Sequence, residues 1–242
     1  MRKLMAVTGI TGHTGRLFLK ELENHQYDGT VRCLVRESSN TKFLDESSLK
    51  IEKLIGSNDN YNTLLRLTAG ADVVMHIFNI HQSVFVLKAC IGNKVPRLIM
   101  VHTTGIYSKF KMASGEYKEI EAEIDEILKT TDIDVTILRP TMIFGDMCDH
   151  NIHKFIEMVD KYPVMPEIAR GRGKIQPVNA RDLAKAYYTV CMTGHLPELR
   201  YDLSGEQSLT LHELFDKMGG GLERKYIMSV VLCGWVAQEL VW

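Results

Sequence analysis

The chain has 242 residues, 45% of them apolar and 24% charged, and its 29 basic and 30 acidic side chains give a net charge of −1. That length suits one domain with a small appended lobe better than two full domains, and the composition excludes disordered, collagenous and disulfide-scaffold classes. The balanced charge provides no bulk attraction to nucleic acid or to an anionic membrane, so neither is an expected partner.

The strand candidates are Lys3 to Thr8, Val31 to Val35, Lys50 to Ile55, Val73 to Ile77, Leu98 to Thr103 and Val135 to Leu138, mostly apolar or β-branched runs suited to burial on both faces. Helical patterns fall between them near residues 14–25, 60–69, 80–93 and 115–131. This alternation predicts an α/β fold, a Rossmann-type doubly wound parallel sheet with right-handed crossovers. After Pro140 the pattern loosens, with helices near 150–161, 180–193 and 210–218 among short strand-like pieces such as Ile175 to Val178 and Tyr201 to Leu203. Residues 1–145 are expected to bind a dinucleotide, and 146–242 to form a small substrate lobe, partly interleaved with the first.

Five cysteines (Cys33, Cys90, Cys148, Cys191, Cys233) form no CxxC pair, the usage of a reducing compartment. The apolar run of MRKLMAVTG is broken by Thr8 and Gly9 before a signal-peptide core forms, so a cytoplasmic location is expected. The apolar tail from Tyr226 to Trp242 is shorter than the roughly 20 residues of a membrane span. Its Trp235 and Trp242 are expected to cover a hydrophobic face, within the subunit or across a homodimer.

Directly after the first strand, Thr8-Gly9-Ile10-Thr11-Gly12-His13-Thr14-Gly15-Arg16 opens the first helix. In this spacing Gly9 permits a tight turn, Gly12 lets backbone approach a pyrophosphate, and Gly15 lets the helix pack while its N–H groups face the anion. Together they predict a bound dinucleotide. Thr11, His13 and Thr14 complete the turn. At the end of the second strand, Arg36 with Arg16 favours the 2′-phosphate of NADP over NAD; the alternative is that both arginines are solvated and Glu37 accepts from the ribose of NAD.

With these motifs the sequence resembles the extended and atypical short-chain dehydrogenase/reductases, in particular the NAD-dependent epimerase/dehydratase group that includes nucleotide-sugar epimerases. Further similarity lies in Asp72-Val73-Val74-Met75-His76, Val101-His102-Thr103-Thr104-Gly105-Ile106-Tyr107, Leu138-Arg139-Pro140 with Phe144-Gly145, Gln176-Pro177-Val178-Asn179-Ala180-Arg181-Asp182-Leu183-Ala184 and Tyr201-Asp202-Leu203-Ser204-Gly205. The resemblance implies an oxidoreductase or isomerase acting on a small-molecule substrate such as a nucleotide sugar. It also implies a catalytic Ser/Thr, Tyr and Lys, which fall on Thr103, Tyr117 and, in place of lysine, Glu121. An ammonium at that position favours phenolate, whereas a carboxylate four residues along the same helix face opposes it. Asp59 stands two positions beyond the place of the family's adenine-binding acid, and Phe78-Asn79 replaces the small residues usual beside the nicotinamide. NmrA-like sensors or regulators, which keep the dinucleotide site without the trio, provide a second class of function.

Asp146, Cys148, Asp149, His150 and His153 form a polar cluster, but their spacing matches no motif with a known metal geometry, so no metal is expected. Lys109, Lys111, Lys118, Arg170, Arg172 and Lys174 are candidates for an anionic substrate, with solvated basic residues as the simpler reading. Phe155, Met158, Val159 and Tyr162, at helical spacing, are read as core.

Overall fold

The computed structural model describes residues 4–109, 111–146, 149, 152–162, 164–167, 173–221 and 227–230. The elements, in chain order, are β1 (Leu4–Thr8), α1 (His13–Asn24), β2 (Thr30–Val35), α2 (Lys42–Asp45), β3 (Lys50–Ile55), α3 (Tyr61–Thr68), β4 (Val73–His76), α4 (Ser83–Gly92), β5 (Arg97–Val101), α5 (Lys111–Leu128) and β6 (Asp134–Pro140). There follow β7 (Ile143–Phe144), α6 (Ile152–Lys161), β8 (Val164–Glu167), β9 (Lys174–Ile175), β10 (Val178–Asn179), α7 (Ala180–Met192), β11 (Arg200–Leu203), β12 (Leu209–Thr210), α8 (Leu211–Gly221) and β13 (Ile227–Val230). Short 3-10 turns, Ile80–Gln82 and Thr104–Tyr107, follow β4 and β5.

Seven strands form one parallel sheet in the order β11-β6-β5-β4-β1-β2-β3. The order reverses at β1, the switch point of a Rossmann fold, and open sheets of this kind bind ligands outside the carboxyl ends of the strands at that point. Strands β1, β4 and β5 are buried almost throughout, which explains their unbroken apolar runs. Helix α1 turns Phe18, Leu19 and Leu22 inward at helical spacing. Leu64, Leu67, Val86, Leu87 and Leu98 contribute to the core cluster.

The chain divides into two compact units, Met1–Pro140 with Ala180–Leu203, and Thr141–Asn179 with Ser204–Trp242. Helix α7 and strand β11, which the sequence reading assigned to the second lobe, therefore belong with the sheet. Two features explain this. Strand β11 pairs in parallel with β6, Tyr201 opposite Leu138. Buried Arg97, at the start of β5, donates to the carbonyls of Val190, Thr193 and Gly194 at the end of α7, where a cation offsets the carbonyl dipoles.

In the second unit β7 pairs with β10, β9 with β12 and β8 with β13. Helix α6 packs on α8 through Phe155, Met158, Val159 and Phe215, with the Phe155 and Phe215 rings edge to face at 5.6 Å. Tyr162, expected in this core, is instead 52% exposed just past the end of α6. Cys148, His150, Arg170, Arg172, Cys233, Trp235 and Trp242, and the side chain of Lys111, lie outside the described residues.

Candidate functional site

The glycine turn meets three separate requirements. Gly9 has a φ of 78°, and a Cβ there would fall 2.8 Å from the backbone nitrogen of Phe78, so the chain just after β4 packs against a residue that must lack a side chain. A Cβ on Gly15 would fall 2.7 Å from the Ile10 Cα, so this glycine lets α1 seat on the turn. At Gly12 the added carbon would meet only the Gly9 carbonyl oxygen, at 3.3 Å, leaving the rest of that face open to a ligand. No side chain caps α1, whose first-turn N–H groups form the anion-binding end of the helix. Three buried atoms around this edge have no partner among the described residues: His13 Nε2, Asn58 Oδ1 and Gln82 Oε1. An uncapped helix start, an open glycine face and unsatisfied polar atoms together fit a dinucleotide.

Around this turn, Arg16 lies over the Phe43 ring at 4.2 Å and donates from Nε to the Thr11 carbonyl at 3.0 Å. Arg36 is exposed at the carboxyl end of β2. Thr14 faces the buried Tyr187 hydroxyl of α7. Asp59 accepts from Gln82 Nε2 at 2.7 Å, which joins the β3–α3 loop to the turn after β4. Phe78 is 39% exposed, while Asn79 caps that turn by accepting from the His81 N–H at 3.1 Å. His76 donates from Nε2 to the Asn79 carbonyl and accepts at Nδ1 from the Thr8 hydroxyl, at 3.2 and 2.7 Å. Burial, with His102 nearby, pushes His76 down to about 3, so its imidazole is neutral.

Thr103 and Tyr117 converge on Gly105. A Cβ there would lie 3.2 Å from Thr103 Oγ1 and 3.3 Å from Tyr117 Cε2. The Thr103 oxygen accepts from the Gly105 N–H at 3.0 Å, leaving its O–H available to donate.

Glu121 takes a different course from a lysine at the same position. Its buried carboxylate accepts from His102 Nδ1 at 3.0 Å, from Arg139 through both Nε and Nη2, and from Arg200 Nε at 2.8 Å. Burial alone would raise this carboxyl, but the hydrogen bonds from His102, Arg139 and Arg200 outweigh it and hold the group well below the usual carboxylate range. The expectation of a bare carboxylate opposing Tyr117 is thus corrected, because its charge is neutralised by two guanidinium groups. His102 Nε2 accepts from Ser83, Arg200 also binds Asp125, and Arg139 donates to the Tyr107 hydroxyl, which donates to Asp202. Sequence reasoning missed His102, Arg139 and Arg200 as partners of Glu121. The signal was a buried acid on α5 facing two arginines on neighbouring strands.

Asp149 accepts from the His153 N–H at 3.0 Å and so serves the start of α6. Among the described residues no group of three or more His, Cys, Asp or Glu side chains is placed to hold a metal ion. Lys109, Lys118 and Lys174 are exposed. A cavity of about 350 Å³ lies at the opposite edge of the sheet, lined by Asp134, Val135, His195 and Leu199 among others, away from the glycine turn. No helix among the described residues is long and apolar enough to cross a membrane.

Comparisons with known proteins agree with this fold. The fold matches UDP-N-acetylglucosamine 4-epimerase from Methanobrevibacter ruminantium, in complex with UDP-N-acetylmuramic acid, at a TM-score of 0.75 and 17% identity, covering 95% of this chain and 85% of that one. The corresponding enzyme from Bacillus cereus matches at 0.74 and 17%, covering 98% and 89%. WbmH from Bordetella bronchiseptica, in complex with NAD+, matches at 0.70 and 16%, covering 95% and 85%. In sequence, 86 residues are 30% identical to the NADH dehydrogenase [ubiquinone] 1 alpha subcomplex subunit 9 of Dictyostelium discoideum, 36% of this chain but 24% of that protein's length. A model of the NAD(P)H-binding family matches residues 9–162. With the glycine turn, the uncapped α1 and five of the seven strands of the parallel sheet inside that span, the chain belongs to the NAD(P)H-binding family.

Proposed function

We propose that the chain is an NADPH-linked oxidoreductase of the epimerase/dehydratase type, acting on a small carbonyl or hydroxyl substrate, with nucleotide sugars as the first class to test. The observation that carries this reading is the convergence of Thr103 and Tyr117 on Gly105. The glycine turn and α1 would hold the pyrophosphate, Arg16 and Arg36 the 2′-phosphate, and Asp59 with Gln82 the adenine. Bound nicotinamide supplies or accepts a hydride. Thr103 donates a hydrogen bond to the substrate oxygen, and Tyr117 gives that oxygen a proton or takes one from it. Glu121 acts at a distance: through His102 it fixes the strand end that carries Thr103.

Turnover of nucleotide sugars and small carbonyl compounds tests this directly. Tyr117→Phe is expected to lower kcat by roughly 10²-fold while leaving NADPH affinity unchanged. For the cofactor, NADPH should bind more tightly than NADH, and Arg36→Ala should remove most of that preference. Loss of a charge-assisted contact of about 1.5–3 kcal/mol corresponds to roughly 10- to 150-fold. Tighter binding of NADH by the native protein reverses the cofactor assignment.

A second reading, an NmrA-like NAD(P)H-binding sensor or regulator, is favoured by the missing ammonium at residue 121 and by the likeness to a respiratory-complex subunit. Under that reading Tyr117→Phe changes nothing, and cofactor binding alters a partner interaction instead.

A further inference from the structure

We infer that His81 stands in for the absent lysine, as the group that exchanges the Tyr117 proton with solvent. This rests on the catalytic reading of Tyr117. The Ile80–Gln82 turn brings the imidazole to 5.9 Å from the Tyr117 ring, centroid to centroid, with the rings tilted by 49°. Asn79 fixes the turn through the His81 N–H. Glu116 Oε2 lies 4.0 Å from His81 Nδ1, and the imidazole side chain is 42% exposed, in reach of water. The separation is small enough for the phenol oxygen and an imidazole nitrogen to meet on a side-chain rotation. The nearby alternatives are unsuited to the role: Glu121 is buried among His102, Arg139 and Arg200, and Lys118, next to Tyr117 along α5, points to another face of the helix.

The titratable and charged groups set against His81 among the described residues are Glu116 and Tyr117 on α5. Asp59, on the β3–α3 loop, reaches the same turn through Gln82. A neutral imidazole carries one donor and one acceptor nitrogen, so it can pass a proton in either direction. In the reducing direction the Tyr117 O–H bond breaks and its proton forms the O–H of the product alcohol, while hydride from the reduced cofactor forms the new C–H bond. The phenolate then takes the N–H proton of the His81 imidazolium, and water reprotonates the neutral imidazole. Oxidation runs the same path backwards, so no co-reactant beyond the cofactor and solvent is required.

Two measurements test this. In the first, the kcat of alcohol oxidation by the native enzyme is expected to fall toward acid pH, where protonation of the imidazole removes its proton acceptor. In His81→Gln that limb should vanish, with kcat at least 10-fold lower and KM little changed. A native profile retained in His81→Gln overturns the inference while leaving the catalytic reading of Tyr117 intact. The second does not depend on turnover. His81→Lys places an ammonium where the imidazole was, and the tyrosinate absorbance that disappears in His81→Lys/Tyr117→Phe should then arise at least about one pH unit earlier than its counterpart in the native protein. No shift means that position 81 does not reach the phenol, and the inference fails. A shift without turnover on any substrate keeps the pairing but removes the proton relay together with the oxidoreductase reading.

Discussion

At the scale of single residues, three glycines of one motif make separable demands, and substitution should resolve them. A side chain at Gly12 projects into open space, with only the Gly9 carbonyl close by. Gly12→Val is therefore expected to leave the unfolding midpoint near that of the native protein while abolishing NADPH binding in a fluorescence titration. Gly15→Ala does the reverse, because its methyl would press on the Ile10 backbone at 2.7 Å in a position that α1 cannot vacate without leaving the turn. Its expected signature is a loss of stability of about 1–3 kcal/mol, seen by denaturant unfolding without cofactor. If Gly12→Val bound NADPH normally, the pyrophosphate would have to lie elsewhere. The division of roles between Gly12 and Gly15 was visible in the spacing; that the backbone of Ile77 and Phe78 closes over Gly9 was not, because it depends on where the chain after β4 comes to rest.

At the scale of elements, Glu121 ties α5 to the ends of three strands: His102 just after β5, Arg139 on β6 and Arg200 on β11. This changes the meaning of an apparently simple repair. Glu121→Lys restores the residue type usual in the resembled family, yet it would set an ammonium against two guanidinium groups in a buried site. The expected result is destabilisation by about 3–5 kcal/mol, measured by urea unfolding, rather than a gain of activity. Retained stability would mean that the new side chain escapes the network, and only then does the variant probe Tyr117 chemistry. The strands and helices themselves were legible, because parallel strands covered on both faces read as apolar runs separated by amphipathic helices. Lys50–Ile55 emerged with the predicted bounds although its residues are mostly exposed. The placement of α7 and β11 was not legible. It depends on Arg97 reaching carbonyls some 90 residues later and on strand pairing, neither of which leaves a local trace. His81 escaped notice for the same reason: its neighbour Tyr117 is distant in sequence and close only once the turn packs on α5.

At the scale of the whole molecule, the buried histidines set how the protein responds to acid. Burial foremost, and then the proximity of His102, lowers His76 from 6.5 to about 3, and burial lowers His102 as well. A group whose pKa is lower in the folded state binds fewer protons there than in the unfolded chain. Its contribution to stability is therefore complete above about 6.5 and is lost as pH falls from there toward 3. At 1.36 kcal/mol per unit, His76 alone removes about 2 kcal/mol at pH 5, and His102 adds to this loss in the same direction. Glu121 acts in a separate window. Its hydrogen bonds from His102, Arg139 and Arg200 keep it ionised, so its contribution disappears only below the ordinary carboxylate range. Unfolding free energies should thus decline between pH 6.5 and 5, before carboxylates titrate, and His76→Gln should flatten that decline even if it lowers stability at pH 7. A native protein equally stable at pH 7 and pH 5 would contradict the neutral, hydrogen-bonded state assigned to His76 between Thr8 and Asn79. Because Thr8 leads directly into Gly9, the same acid transition is expected to weaken NADPH binding in step with the loss of stability.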